Sequence, residues 1–340
     1  MTGMEPALDL SGFLDQVEDG LHDILQDPQS SDGQPDAGTL IRAARHLCIG
    51  AGGKRVRPLM VRLFADACGA PRQHLVDVAV AAELIHSASL LHDDVVDSGM
   101  FRRGRPTVNA RWGNIVAVMS GDLLLTCALT RLAAIDSRLT RQAIGTVAEM
   151  TRSAIAEVEA RGDLALPVER LQAIAEGKTG SLFAWCGVST ALLAGDLNAG
   201  ERFEAFGRRL GTAFQIADDV RDLAGSDQGK PPYADLQSRT PSMPILLAVA
   251  KDAELRKRIK EAWTFAAMTP DRAIELGTAV LCSGAVELAI ERMNGEIEAA
   301  IDALGSYATS CGGAELVNWA RRLAIGVQRR EAVPERVVSG

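Results

Sequence analysis

The chain has 340 residues, 47% hydrophobic but only 4% aromatic, with 44 acidic against 36 basic residues and a net charge of −8. The acidic balance argues against a general nucleic-acid partner, which would need a basic surface. A core poor in aromatics rests on Ala, Leu, Val and Ile, and Ala and Leu are strong helix formers. The expected fold class is therefore all-α, a single-domain helical bundle, rather than a β-sandwich.

The chain opens on MTGMEPALDLSGF, which has no basic or apolar leader region, so no signal peptide is expected. A short amphipathic helix precedes a polar linker at residues 28–38. Apolar periodicity then predicts helices over 56–68, 74–98, 112–135, 140–160, 168–195 and 200–223, with three or four more filling 241–328. GMFRRGRP at 99–106 breaks the pattern, GSDQGKPP at 225–232 reads as a polar loop, and the tail should fray. The resulting division is 1–38 (helix and linker), 39–330 (one helical domain) and 331–340 (tail). No window alternates with period two, so no strand is expected. No apolar run reaches about 18 residues without a charge or break, so no transmembrane segment is expected. Six scattered cysteines form no CxxC pair and read as free thiols, mostly buried, in a reducing, cytoplasmic setting.

Two of the apolar helices end in the same acidic pattern. LLHDDVVD gives Asp93, Asp94 and Asp97, and FQIADDVRD gives Asp218, Asp219 and Asp222. Residues four apart share a helix face, where like charges repel unless a cation compensates them. Carboxylate oxygens suit Mg²⁺, which shares its shell with substrate phosphates. One such motif would also fit a solvated helix end. Two copies, each closing an apolar helix and each followed by a basic segment, point to a metal and a diphosphate meeting between them.

The basic segments are GGKRVRP with Lys54, Arg55 and Arg57, FRRGRP with Arg102, Arg103 and Arg105, EGKTG with Lys178 beside Thr179, and GKPP with Lys230. Arg grips phosphate with two parallel donors and Lys acts as a mobile point charge. Arg55 and Arg105 are expected to be ordinary solvated charges. His86 lies two helical turns before Asp93 and faces the same side, so it is expected to touch diphosphate; His92 is expected to support from behind.

Together GGKRVRP, ELIHSASLLHDDVVD, RRGRPT, EGKTGSLF, FQIADDVRD and GKPPYADL resemble the trans-type polyprenyl diphosphate synthases, from about residue 40 to residue 330. The resemblance implies an all-α isoprenoid-synthase fold around a deep central cavity, usually a homodimer. It implies about three Mg²⁺ ions held by Asp93, Asp97 and Asp218, with Asp94, Asp219 and Asp222 in support. Lys54, Arg57, His86 and Arg103 would hold isopentenyl diphosphate. Arg102, Lys178 and Lys230 would hold the allylic diphosphate, with Thr179 and Gln215 along the reacting prenyl group.

The sequence departs from the family pattern in two places. In DLQSRTPSMP, Arg239 stands where Gly is usual, Thr240 where Lys is common, and Ser242 replaces Thr. Ser153 and Ala154 stand where many members carry Gly-Gln. Ala88 and Ser89, just before Asp93, are small, and the resemblance then implies an open pocket and a product of C20 or longer. A terpene cyclase on the same fold and a non-catalytic subunit of a heteromeric synthase are the rival readings. The first needs no isopentenyl site; the second typically lacks one acidic motif, and both motifs stand here.

Overall fold

The structure, a computed structural model, describes residues 10–26, 37–49, 53–223, 233–264 and 268–331. It is 83% helical. The chain runs α1 (Leu10–Ile24), α2 (Ala37–Cys48), α3 (Val56–Cys68), α4 (Leu75–Val96), then a hairpin of β1 (Phe101–Arg102) and β2 (Arg105–Pro106). It continues through α5 (Val108–Trp112), α6 (Asn114–Ala133), α7 (Ser137–Glu159), α8 (Val168–Ala175), a π-turn (Glu176–Gly180), α9 (Ser181–Ala194) and α10 (Leu197–Leu223). The rest is α11 (Ala234–Ser238), α12 (Met243–Lys251), α13 (Ala253–Thr264), α14 (Pro270–Leu281), α15 (Ala285–Leu304), a 3₁₀ turn (Gly305–Thr309) and α16 (Cys311–Glu331).

Local chemistry sets the boundaries. Asp136 caps α7 by accepting from Arg138 N at 2.7 Å. Thr269 caps α14 ahead of Pro270, whose missing N–H costs nothing in a first turn. Gly69 ends α3 in the left-handed conformation at φ 67°. α4 and α9 are apolar around most of their circumference and are accordingly buried, as helices without a polar face must be. α10 packs against α9 and α15, and α4 against α6 and α3. The two acidic motifs thus end two core helices.

One crossing matters for the site. A Cβ placed on Gly211 of α10 would lie 2.2 Å from Gly180 Cα, so only glycine lets α10 meet the EGKTG turn backbone to backbone. That turn is a π-turn, a helix irregularity that recurs at functional sites.

Several expectations need correction. A minimal hairpin exists where none was expected. Its Arg103–Gly104 loop has φ 51° and 72°, the two positive values of a type I′ turn, and so connects strands of only two residues each. α2 adds a helix over part of the residues after the linker. Gly113 divides the 112–135 helix from α5, the 168–195 helix contains the π-turn, and among the described residues five α-helices rather than three or four follow residue 241. Two cysteines, Cys282 and Cys311, are exposed, while Cys48 and Cys186 are buried. Among the described residues two helices, α4 and α6, are long and apolar enough to cross a membrane; 67% of the α4 window is buried inside the protein and 33% of the α6 window. Most of the linker, the 225–232 loop and residues 332–340 lie outside the described residues.

Candidate active site

The first acidic motif presents two faces. Asp93 is partly buried with Lys178 Nζ 3.8 Å away. Burial pushes its carboxyl above the usual range, Lys178 opposes that, and Glu157 and Asp97 reinforce it. Asp97, four residues on, shares that face and pairs with Arg161. Asp94 points elsewhere. It is buried, and Arg102 grips it with Nη2 at 2.8 Å and Nε at 3.1 Å from Oδ1. Asn109 and Thr107 hold the turn after α4 through Gly99 O at 3.0 and 2.7 Å. The hairpin and α5 therefore fix the end of α4.

The second motif divides its work differently. Asp218 is half exposed and pairs with Arg221. Asp219 is buried, accepts from Gln215 Nε2 at 3.1 Å and Met243 N at 2.9 Å, and so caps α12. Burial, with Asp218 and Glu157 adding to it, pushes its carboxyl up to about 7. Asp222 accepts from Ala234 N and Asp235 N, both at 3.0 Å, which starts α11.

A chain of contacts joins the two motifs. Asp93 faces Lys178; the adjacent Thr179 donates to Gln215 Oε1 at 3.3 Å; Gln215 donates to Asp219. Glu157 of α7 pairs with Lys178 and bears electrostatically on both Asp93 and Asp219. Glu157 and Arg161 were not picked out from the sequence. Glu157 lies three residues past the Ser153–Ala154 departure, and nothing local marks either residue, because each acts across 21 or more positions.

The cations collect around His86. Burial first, then Arg57, Arg102, Arg103 and Arg55, press its imidazole well below its usual range, so His86 is neutral. Arg57 stacks its guanidinium 5.2 Å over the Phe183 ring. Its Nε is buried with no hydrogen-bond partner among the described residues. A buried orphan donor on a cation is an invitation to an anion. A Cβ on Gly53 would sit 3.4 Å from Arg103 Nη1, so the glycine lets the Gly53–Arg57 stretch and the hairpin close on each other. Lys54 is exposed. Lys230 lies outside the described residues.

Two cations differ from expectation. Arg55 is not solvated: it is 7% exposed, with Nε 2.5 Å from Glu18 Oε1, Nη1 2.7 Å from Glu83 Oε1 and Nη2 2.6 Å from Cys48 O. Arg105 is half-buried with Nη2 3.2 Å from His46 Nδ1, while His46 Nε2 meets Pro106 O at 2.8 Å, fastening the hairpin to α2. His92 packs on α6, where a Cβ on Gly121 would come within 2.3 Å of its ring. Ala88 is buried in the core, and Ser89 donates its hydroxyl to His86 O at 2.8 Å.

The sequence departures have structural partners. Ser153 Oγ would lie 2.0 Å from a Cβ on Gly177, so serine and glycine are matched there. Arg239, at the position where glycine is usual, sits at φ 60° and ψ 30°. A non-glycine residue there costs about 1 kcal/mol. Arg239→Gly is expected to raise stability by up to about 1 kcal/mol, read as a higher urea midpoint; an unchanged or lower midpoint would show that the left-handed turn is unstrained.

Among the described residues no three carboxylate, imidazole or thiolate groups converge to hold an ion by themselves. The available donors, Asp93, Asp97 and Asp218, are all carboxylates. Such a set fits Mg²⁺, which keeps several waters and completes its shell with substrate phosphates.

The chain is thus an all-α bundle in which two core helices end in paired aspartates, with basic side chains near both ends. A family model for polyprenyl synthetase matches residues 39–276. The chain belongs to the polyprenyl synthetase family. It is 38% identical over 220 residues to a (2E,6E)-farnesyl diphosphate synthase of Mycobacterium tuberculosis, a match covering 62% of this chain and 60% of that protein's length. It is 32% identical over 287 residues to an all-trans-nonaprenyl-diphosphate synthase of Rhodobacter capsulatus, covering 83% of this chain and 87% of that one. The structure superposes on a decaprenyl diphosphate synthase from Rhodobacter capsulatus with a TM-score of 0.83 at 27% identity, covering 94% and 97% of the two chains. It superposes on a polyprenyl synthase from Caulobacter crescentus CB15, complexed with calcium and isoprenyl diphosphate, with a TM-score of 0.81 at 29% identity, covering 93% and 95%. The fold is the all-α isoprenoid-synthase fold.

Proposed function

We propose that this chain is a Mg²⁺-dependent prenyltransferase, a polyprenyl diphosphate synthase that joins isopentenyl diphosphate to an allylic diphosphate head to tail and in trans. The observation that carries this reading is the contact chain from Asp93 through Lys178, Thr179 and Gln215 to Asp219, flanked by the cation cluster at His86. It brings carboxylates that would hold a metal near cations that would hold diphosphate.

Asp93, Asp97 and Asp218 would hold Mg²⁺, about three ions in all, with Asp94, Asp219 and Asp222 fixing the helices that carry them. Mg²⁺ supplies positive charge that stabilises a departing diphosphate. Lys178, with Arg102 and Lys230, binds the allylic diphosphate and stabilises the same developing charge as a fixed cation. Lys54, Arg57, Arg103 and neutral His86 bind isopentenyl diphosphate, His86 as a donor. Thr179 and Gln215 line the reacting prenyl group. The allylic C–O bond breaks, the isopentenyl double bond supplies the electrons of the new C–C bond, and the proton lost goes to the released diphosphate. An apolar surround that excludes water would keep the cation from being quenched.

We place the product at C20 or longer. Relatives are named for products from farnesyl to decaprenyl, and the small pair Ala88–Ser89 favours the longer end. We assign the second copy of a homodimer to the exposed apolar face of α6, where Ile115 is 80% and Met119 44% exposed. The free cysteines suit a reducing, cytoplasmic compartment.

Incubation with isopentenyl diphosphate, farnesyl diphosphate and Mg²⁺ should give dephosphorylated products beyond C15. No elongation with any allylic primer would sink the reading; a ladder ending at C15 would sink the length. Ser89 stands four residues before Asp93, on the same face. Ser89→Phe is expected to shorten the main product by one or more C5 units, and an unchanged chromatogram would mean that this position does not bound the pocket.

A further inference from the structure

Arg161 stands just after α7, in a turn closed by Asp163 N to Ala160 O at 3.0 Å and by Gly162 at φ 82°. The backbone is fixed at its other side too. Gly162 N donates to Arg239 O at 2.8 Å, which ties this turn to the segment following the second acidic motif. The Arg161 side chain spans the remaining gap and pairs with Asp97 of the first motif, 64 residues earlier. It is therefore a cation anchored beside one motif's sequel and reaching the other motif.

Two features show that the pair with Asp97 is incomplete. Asp97 is 53% exposed, and ion pairs of such exposure are weak enough for a divalent ion to displace. Arg161 Nε is buried and has no hydrogen-bond partner among the described residues. A guanidinium offers a fork of donors that matches a phosphate oxygen pair. Here one arm is engaged by a carboxylate and the adjoining donor is unsatisfied.

We propose that Arg161 is a further substrate-binding cation, which neutralises Asp97 in the metal-free protein and moves to the allylic diphosphate when the metal takes Asp97. This rests on the function proposed above. In that exchange a divalent metal would take the place of the guanidinium at Asp97, and the freed guanidinium would pair with a diphosphate oxygen instead. Arg161 thereby adds a cation to the allylic half, beside a stretch (Ser238–Ser242) whose own Arg239 is exposed.

The test uses the full chain with Mn²⁺ as a spectroscopic substitute for Mg²⁺ and inorganic pyrophosphate as the anion. Free Mn²⁺ is read by electron paramagnetic resonance and pyrophosphate binding by calorimetry. Arg161→Gln should bind Mn²⁺ alone at least as tightly as the wild type. It should bind pyrophosphate with Mn²⁺ about tenfold more weakly, as expected for one lost charge-assisted hydrogen bond. In turnover, KM for the allylic substrate should rise by a similar factor while KM for isopentenyl diphosphate stays put. Arg161→Lys keeps the charge but not the fork, and should lose only part of the pyrophosphate affinity; it carries the test if the glutamine variant misfolds by circular dichroism. Unchanged pyrophosphate affinity in both variants, with the wild type binding normally, overturns this proposal and leaves the proposed function standing. A wild type that binds no pyrophosphate with Mn²⁺ overturns both.

Discussion

Asp93→Asn and Asp218→Asn are each expected to lower prenyl transfer by about a thousandfold while leaving the fold intact. Each removes a carboxylate from the set that would hold Mg²⁺, and a bound metal supplies several kcal/mol of transition-state stabilisation, with about 1.4 kcal/mol per factor of ten. The stability prediction runs the opposite way. Burial makes ionised Asp93 unfavourable in the metal-free fold, and Glu157 and Asp97 add repulsion. Asn removes that cost, so metal-free Asp93→Asn should unfold at an equal or higher urea concentration than the wild type. Asp218 is half exposed, and its replacement should be neutral for stability. Single-turnover assays and denaturant titrations on the same preparations decide the matter. Near-normal turnover would make the aspartates structural, and lost stability with lost activity would mean that they act through the fold.

Arg55→Ala should cost about 3–5 kcal/mol of stability, the largest such loss expected from any charged residue of the two basic segments nearest the site. The reason is what it leaves behind. Burial works against the Arg55 charge, but hydrogen bonds and attraction from Glu18 and Glu83 hold it firmly protonated. Without the guanidinium, Glu18 at 36% side-chain exposure can turn to water, whereas Glu83 at 6% is stranded. The Cys48 carbonyl also loses its donor. Arg55 links α1, α2 and α4, and it occupies a left-handed backbone conformation at φ 48° immediately before α3. Losing it should therefore also loosen the segment that presents Lys54 and Arg57. Arg55→Lys should rescue little, since one ammonium cannot reach two carboxylates and a carbonyl with fork geometry. A urea midpoint within about 0.5 kcal/mol of wild type would show that the network is dispensable.

Much of the site was legible because it is local. Asp93 and Asp97 share a face by helix geometry alone, His86 joins them two turns earlier, and the apolar runs around them mark helices that must be buried. These readings depend only on spacing, and the protein's helices preserve that spacing. The hairpin was missed because its strands are two residues long, too short for any period-two pattern to register. Its turn was visible only as the pair Arg103–Gly104, whose positive φ values no composition rule reveals.

Sequence alone thus determined an all-α chain with two acidic helix ends and basic segments beside them, since helix periodicity and residue chemistry are properties of neighbours. Tertiary structure decided which charge answers which. Arg55, read as solvated, is buried because Glu18 and Glu83 come from helices 37 residues before and 28 residues after it. Glu157 reaches Lys178 and Arg161 reaches Asp97 only once the C-terminal part of α7 comes against the EGKTG turn and near the end of α4. Within each DDxxD, the fold separates aspartates that face the site from those that hold neighbouring segments: Asp94 binds the hairpin through Arg102, and Asp219 and Asp222 start α12 and α11. Identical letters took different tasks because burial and partner geometry, which arise from residues distant in the chain, set the free energy of each carboxylate.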